Sequence, residues 1–527
     1  MITTDFSSCK TQKQKHQVTH PILTFIINIF AVCGILFSLA FFSIYRKIVD
    51  FYLKIKIGKC YGGIMAPEDV IFFASPVSKC CITSVFYIEC GKNTNVFERV
   101  CEIVKEKVID YPDKYPKLTS TVHKSCGYFY TKTEQCDIFD LVRPIKLETG
   151  QTFNDEYLKK YTGDLANAEF GKNDTMLWEI LVAPNPIVGD FHKPYTYPII
   201  ARFHHSVADG TTLISLLLQI WGDESCENYC RNIFKKFKDP LTNPKTYNSW
   251  TEMAIDRLKN LINLVLLYLE MIFISFGKVI EMVLFKPNNI NALHGRKITG
   301  EKICAWTIED KTECIQLAKN IKNREKTNFN TVIATAMAAS LSQYFKRNGF
   351  PIPEYITGAL TFLTSYPDED SSKPVVLNNK SGVIMFDLPM IYGSKTLQQA
   401  LQHVFKEWNR QLKVSHGLIF TFLMHHIACI PLQILTKCFS WKSQTFLLSN
   451  VPGGSVMKTQ DGWTCHNIIP IAPNAQEIGV SFGILTYDDK FHIGVLVDKA
   501  FVSSQEEVQK IADDVLFYIK LLDNETQ

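Results

Sequence analysis

The sequence predicts an α/β protein of two lobes joined by a helical crossover and preceded by one N-terminal transmembrane helix. Three observations carry that prediction. Residues 21–45 contain no Asp, Glu, Lys or Arg. From about residue 63 onward, short β-branched and aromatic runs alternate with stretches of helical periodicity. Between two such alternating regions lies a long apolar zone, Leu258 to Phe285.

The first element is the apolar run ILTFIINIFAVCGILFSLAFFSIY. With Pro21 before it, the run makes 25 residues and a helix of about 37 Å, enough to cross a hydrocarbon layer of about 30 Å with some tilt. The run is longer than a signal-peptide core, and Arg46 and Lys47 follow it in place of a small-residue cleavage site. It therefore reads as an uncleaved anchor. Lys10, Lys13 and Lys15 precede it, and Arg46, Lys47, Lys54, Lys56 and Lys59 follow it. That balance favours a cytosolic C-terminal part. Sequons at Asn173, Asn379 and Asn524 do not decide the orientation, because such triplets arise by chance at this length.

Residues 46–62 read as a basic stretch on the membrane surface. TSVFYIEC (83–90) and YPIIARFHH (197–205) read as strands, and FERVCEIVKEKVID (97–110) as an amphipathic helix. The 258–285 zone is interrupted by Lys259, Glu270, Lys278 and Glu281, and Val414 to Thr436 by three histidines and Pro431. Both read as buried or interfacial helix in preference to further spans. NTVIATAMAASLSQYFKRNG (330–349) reads as a helix capped by Asn330 or Thr331 and closed by Gly349. SGVIMFDLP (381–389), IGVSFGILTY (478–487) and FHIGVLVD (491–498) read as strands. The chain thus divides into a tail (1–20), a transmembrane helix (21–45), a basic juxtamembrane segment (46–62), an N-terminal lobe (63–245), a helical crossover (246–299) and a C-terminal lobe (300–527).

Composition excludes several classes. Hydrophobic residues make up 46% and charged residues 20%, which is globular and neither disordered nor coiled-coil. Lys+Arg 56 against Asp+Glu 52 leaves +4 with no basic stripe, so nucleic acid is not an expected partner. The 16 cysteines include no C-x-x-C, and Cys226 and Cys230 have no second pair to complete a zinc site, so no metal is expected. Scattered cysteines inside apolar runs suit reduced, buried thiols.

The most informative segment is ARFHHSVADGTTLISLLLQIW, residues 201–221. A strand-like run delivers His204 and His205 to a short turn, and an apolar helix starts after it. Asp209 can accept backbone N–H groups at that helix start, and Gly210 is expected to supply a φ that other residues resist. An imidazole with an ordinary pKa near 6.5 can take a proton at cytosolic pH.

HHSVADG, residues 204–210, resembles the active-site motif of the wax ester synthase / diacylglycerol acyltransferase family, within the HxxxDG group of CoA-dependent acyltransferases. Further segments agree in order. MAPEDVIFF (65–73) resembles the family's opening segment. MLWEILV (176–182) resembles its PLW motif, with Met176 where proline is usual. FNTVIATAMAASL (329–341) resembles its N-D-V helix start, with Asn330 matching and Thr331 in place of aspartate. SNVPGG (449–454) resembles SNVPGP, with Gly454 in place of the last proline. The closing strands ending in Asp498 also fit, so the resemblance spans roughly residues 63–510.

The resemblance implies two chloramphenicol-acetyltransferase-like lobes with mixed sheets and an active site between them. It implies acyl-CoA as co-substrate, a long-chain alcohol or diacylglycerol as acceptor, and no bound cofactor. On this chain His205 is then the general base, Asp209 and Gly210 shape its loop, and His204 orients His205 or lines the channel. Asn330 and Asn450 are oxyanion candidates, and Trp178 is a substrate-side candidate. With the anchor, the expected location is a single pass in a membrane, that of the endoplasmic reticulum, with the plasma membrane as the alternative.

Other readings compete. Gly479, Ser481 and Gly483 match G-x-S-x-G, but the residues after Gly483 read as a strand where a hydrolase elbow needs a helix. His425-His426 lacks a following Asp-Gly, and Asp368-Glu369-Asp370 reads as a solvated loop. A sterol or other non-lipid hydroxyl acceptor, or a non-catalytic lipid-binding protein of the same fold, would use the same scaffold.

Overall fold

The computed structural model describes residues 21–223, 249–280, 289–309, 313–363, 373–438 and 443–527, apart from 76, 93, 135, 148–149, 172–174, 190–191, 272, 274–275, 394–395 and 428. The tail 1–20, Asn173, Cys226, Cys230 and Asp368 to Asp370 lie outside the described residues, as do 239–248 and 281–285.

Helix α1 is Pro21–Ile57, one continuous element. The anchor and the basic segment are therefore not separate. Past Tyr45 the helix changes surroundings but not conformation. Arg46 Nη2 donates to the Met65 carbonyl at 2.7 Å, Tyr61 donates to Asp50, and Val49 and Leu53 are buried against Tyr128. The N-terminal half leaves Phe30, Phe37 and Phe41 exposed. Val32–Cys60 is long and apolar enough to cross a membrane.

The N-terminal lobe contributes β1 (Tyr61–Ile64), β2 (Cys81–Glu89), β3 (Ser120–Ser125), β4 (Tyr128–Thr133), β5 (Val142–Pro144), β6 (Trp178–Val182) and β7 (Thr196–His204). The later half of the chain contributes β8 (Lys302–Ile308), β9 (Tyr355–Leu363), β10 (Ser381–Pro389), β11 (Phe446–Gly454), β12 (Met457–Lys458), β13 (Thr464–Ile471), β14 (Val480–Tyr487) and β15 (Lys490–Asp498). One six-stranded sheet has the order β10-β9-β11-β14-β15-β8, the other β12-β13-β2-β7-β6-β5, and β1-β4-β3 form a small third. Both large sheets are mixed: β11 runs parallel to β9 and β14, β5 runs parallel to β6, and the remaining pairs are antiparallel.

The later half of the chain therefore lends strands to the N-terminal lobe. β12 and β13 come from the C-terminal half but complete the N-terminal sheet, with β13 paired to β2. Division of the chain at residue 300 does not anticipate this. The crossing needs close approach at one place. Gly483 and Gly494 face each other across β14 and β15, and a Cβ on either would stand 2.5 Å and 2.1 Å from the Pro470 carbonyl oxygen of β13. Backbone cannot yield as a side-chain tip can. Gly494→Ala is expected to cost about 3 kcal/mol, read as a lowered Tm; a variant as stable as wild type would contradict the close crossing.

Four further elements position the site. Helix α2 is Pro67–Val70, followed by a 3-10 turn Ile71–Phe73. Helix α3 is Val96–Val104, capped by Asn95 and continued by a π turn to Ile109. Helix α4 is Gly210–Trp221, and its apolar side fills the N-terminal core beside Phe86 and Phe203. In the crossover, α5 (Trp250–Glu270) has no buried residue, so this part of the 258–285 zone lies on the surface and not in a core.

Beyond it, α6 (Phe276–Ile280) leads toward the C-terminal lobe, whose core packs α7 (Phe329–Arg347) and α9 (Gln505–Thr526) on the sheet. Helix α8 lies between them in sequence, at Val414–Ile427. Its 14 residues span about 21 Å, too short to cross a bilayer. A separate helix, Leu432–Cys438, follows Pro431. The cap of α7 is Asn328, not Asn330 or Thr331: the Asn328 Oδ1 accepts from the Thr331 N–H at 2.8 Å, three residues into the helix where a cap must reach. That leaves the Asn330 side chain for another partner.

Candidate active site

Strand β7 carries the paired histidines to its end. Ile199, Ile200, Ala201 and Phe203 are buried between β2 and β6, which makes the strand a rigid support for the histidine pair. The His204 N–H donates to the Leu177 carbonyl at 2.8 Å, and the His205 N–H to the Cys80 carbonyl at 2.9 Å. The chain then turns into α4.

Asp209 closes the turn as the N-cap of α4. One carboxylate oxygen accepts from the Thr212 N–H at 2.9 Å, and the other from the Lys380 N–H at 2.7 Å. The first bond caps the helix; the second ties the turn to the start of β10 in the other lobe. Gly210 departs from expectation. It is an ordinary first helical residue outside the left-handed region, and a Cβ there would meet nothing within 4 Å. No backbone strain demands a glycine; the surroundings of this position are simply open.

The two histidines have different fates. His204 is buried, and its Nδ1 accepts from the Ser206 N–H at 3.2 Å and lies 2.7 Å from the Ser206 hydroxyl. Its ring stacks on Phe73 with centroids 4.2 Å apart, and Phe73 stacks in turn on Phe129. Burial, with smaller contributions from His205 and Lys79, pulls its pKa down to about 3. His204 therefore stays neutral and acts as part of the wall. The His205 ring stacks on Phe72 at 3.8 Å and 12°. Burial holds it below the ordinary histidine value, while a bond to its own carbonyl, the Asp209 carboxylate and Asn379 oppose that shift. An imidazole kept neutral near pH 7 suits a proton acceptor.

Residues to which the sequence assigned no site role complete it. Asn379, noted only as a sequon, has its Oδ1 3.0 Å from His205 Nδ1. Its Nδ2 donates to the His205 carbonyl at 2.9 Å and to Asp69 Oδ1 at 2.8 Å. A side chain so engaged and buried has no room for a glycan. Asp69, inside MAPEDVIFF, is paired with Lys117 at 2.6 Å. Burial pushes the Asp69 carboxyl up to about 6, against the pull of Lys117 and Asn379. The family-like segment around Asp69 was the available signal; Lys117 had none.

The other candidates lie elsewhere. Trp178 is a core residue: its Nε1 donates to the Leu118 carbonyl at 2.8 Å, and its ring stacks on Phe203. Asn330 and Asn450 are brought together, with Asn450 Nδ2 donating to Asn330 Oδ1 at 2.8 Å. They sit where β11 reaches the N-terminal lobe, since Val451 packs into that lobe's core. Ser481 is buried within β14 and donates to the Ala472 carbonyl, and β15 follows directly, so no nucleophile elbow forms. His426 lies on α8 and bonds the Phe422 carbonyl one turn back, and the His425 side chain is outside the described residues.

Comparison with known proteins bears on the fold that holds these residues. Residues 377–519 match the family described as WS/DGAT C-terminal domain. No curated protein sequence matches the chain. Among solved structures, the wax ester synthase/diacylglycerol acyltransferase from Marinobacter aquaeolei VT8 is similar over 88% of this chain and 99% of its own, at 12% identity and TM-score 0.53. The trichothecene 15-O-acetyltransferase from Fusarium sporotrichioides is similar over 86% and 95%, at 10% identity and TM-score 0.53. A starter condensation domain of rhizomide synthetase, solved with C8-CoA and Leu-SNAC, is similar over 90% and 96%, at 13% identity and TM-score 0.51. Likeness at such identities concerns the fold. Over residues 377–519 the chain thus matches the WS/DGAT C-terminal domain, and as a whole it has the two-lobed fold shared by condensation domains and these acyltransferases.

Proposed function

We propose that this protein is a membrane-anchored O-acyltransferase that moves a fatty acyl group from acyl-CoA to the hydroxyl of a long-chain alcohol or diacylglycerol. One observation carries the reading. His205 sits neutral at a rigid strand end between the lobes, with Nδ1 occupied by Asn379 and Nε2 left as the basic nitrogen. In the proposed reaction Nε2 takes the acceptor's hydroxyl proton as the oxygen attacks the thioester carbonyl. The tetrahedral oxyanion then collapses, the C–S bond breaks, and the proton on Nε2 passes to the departing CoA thiolate. Such acid–base help is worth about 10²- to 10⁴-fold. The Asn330–Asn450 pair is the oxyanion candidate, and the open side of Gly210 leaves clearance for a ligand. No step calls for a metal or bound cofactor.

The membrane part of the reading rests on three helices. α1 supplies an apolar length sufficient to span. α5 carries Leu258, Leu261, Ile262, Val265 and Leu269 at helical spacing on one side, and Asp256, Lys259, Asn260 and Asn263 on the other, which suits a helix lying in the interface. Glu270, at its end, bonds Lys413 and Ser415 at the start of α8. α8 in turn contacts α2, the element that precedes Phe72. Bilayer-facing helices and the His205 site are thus linked by direct packing, which favours an acceptor resident in the bilayer. The endoplasmic reticulum, with the catalytic part cytosolic, is the proposed location. A sterol or other hydroxyl acceptor is the alternative outcome of the same acyl-transfer assay.

Removing residues 1–45 is expected to convert the protein from one that resists carbonate extraction to one that carbonate releases, while the remaining turns of α1 stay packed on Tyr128. A truncated protein that still resists extraction would show that α1 is not the anchor. Asp209→Ala is expected to cost about 1 kcal/mol for the lost cap and about 1.5–3 kcal/mol for the lost bond between its carboxylate and the Lys380 N–H. Transfer should fall with it; unchanged Tm and activity would contradict the bracing role.

A further inference from the structure

We propose that Lys117, Asp69 and Asn379 form a positioning chain that holds His205 in the Nδ1–H tautomer and so leaves Nε2 as the base. The inference rests on the base role proposed for His205 and adds three residues to it.

Donors and acceptors fix the tautomer. Asp69 Oδ1 and the His205 carbonyl oxygen can only accept, and both lie within 2.9 Å of one atom of the Asn379 amide. That atom must be the nitrogen, because an oxygen there would face two acceptors. The other atom, Oδ1, then faces His205 Nδ1 at 3.0 Å and can only accept. Nδ1 must therefore carry the hydrogen, and the lone pair falls on Nε2. The buried amide thus favours the same tautomer as the ring's bond to its own carbonyl, and it ties the ring to that backbone.

The chain extends outward. Asn379 is held by Asp69, and Asp69 Oδ2 by Lys117 Nζ at 2.6 Å. Lys117 also donates to the Val207 carbonyl at 3.2 Å, in the turn between His205 and Asp209. Phe72, three residues after Asp69, stacks on the His205 ring and sets its plane. The groups come from four separate segments, with 310 residues between Asp69 and Asn379 and 174 between His205 and Asn379. The charged or titratable groups facing the chain are Glu68 and Lys117 around Asp69, and Asp209 and His204 around His205.

The test is a pH–rate profile of acyl transfer by the full-length protein in membranes, using labelled acyl-CoA and hexadecanol or diacylglycerol. Asn379→Ala should lower kcat by about 100-fold with KM for acyl-CoA little changed. Asn379→Asp keeps an accepting oxygen at Nδ1 but sets its other oxygen against Asp69 and the His205 carbonyl and adds a negative charge beside the ring, so the rate should fall and the acid limb move to higher pH by about one unit. A purely structural role would lower the rate equally at every pH. Should Asn379→Ala not accumulate, the second comparison decides: Asp69→Asn retains an acceptor for Asn379 and should keep far more activity than Asp69→Ala. Near-wild-type activity with an unmoved profile in both Asn379 variants, or equal loss in both Asp69 variants, overturns the chain while leaving His205 untouched. An active His205→Ala variant in the same assay would instead remove the base role itself.

Discussion

His205→Ala is expected to lose acyl transfer by a factor of about 10² to 10⁴, the range that a positioned acid–base group supplies. The protein should stay folded. The ring touches Phe72 on one face and bonds the Asn379 side chain and its own carbonyl, so its removal strips Asn379 Oδ1 of a donor. That is worth about 1–3 kcal/mol and should show as a small drop in Tm. The contrast with His204→Ala is informative. His204 stacks on Phe73 and bonds Ser206, and it is held neutral by burial. Its loss should appear in stability first and in rate second. A His205→Ala variant with near-normal transfer would contradict the base role whatever its Tm.

The second large effect lies earlier on β7. Arg202 is fully buried and meets the fully buried Glu179 on β6, with Nε 2.6 Å from the carboxylate. The same guanidinium donates to the carbonyls of Leu165, Ala168 and Glu169 and lies over the Phe170 ring at 4.1 Å. Arg143 reaches Glu179 from the other side. Arg202→Met leaves Glu179 with one half-exposed partner and strips three carbonyls of their donor. Breaking one side of a buried pair costs about 3–5 kcal/mol, a large share of the roughly 5–15 kcal/mol of typical net stability. The strand that presents His205 should loosen with it. The double variant Arg202→Met/Glu179→Leu removes both charges and should recover part of the lost Tm. A single variant as stable as wild type would contradict the view of β7 as a rigid support.

Much of this architecture could be read in the chain because the signals are local. A strand that ends in His-His, a turn closed by Asp-Gly and an apolar helix are consecutive, and β7, Asp209 and α4 match them. The β10, β14 and β15 runs carry their own β-branched signature. What could not be read is what depends on distance. Asn379 and Asp69 act on His205 from remote segments, and no periodicity announces such a meeting. The crossing of β13 into the N-terminal sheet needs two glycines that matter only because another strand passes them. Gly210 misled for the opposite reason: a D-G pair suggests a strained turn, yet here Asp209 caps and Gly210 simply begins the helix. The PLW-like segment placed Trp178 on the substrate side, while its indole is part of the N-terminal core. At the N-terminal end, composition separated an apolar from a basic segment, but one helix carries both, because lysine and arginine sustain a helix once Val49 and Leu53 have a lobe to pack on.

The central claim is ester formation from acyl-CoA. It is tested most directly by expressing wild type and His205→Ala in cells lacking neutral-lipid synthesis and supplying their membranes with labelled acyl-CoA and either hexadecanol or diacylglycerol. Labelled wax ester or triacylglycerol should form with the wild type, and none above background with the variant. Equal product from both, or none from the wild type with either acceptor, would contradict that claim.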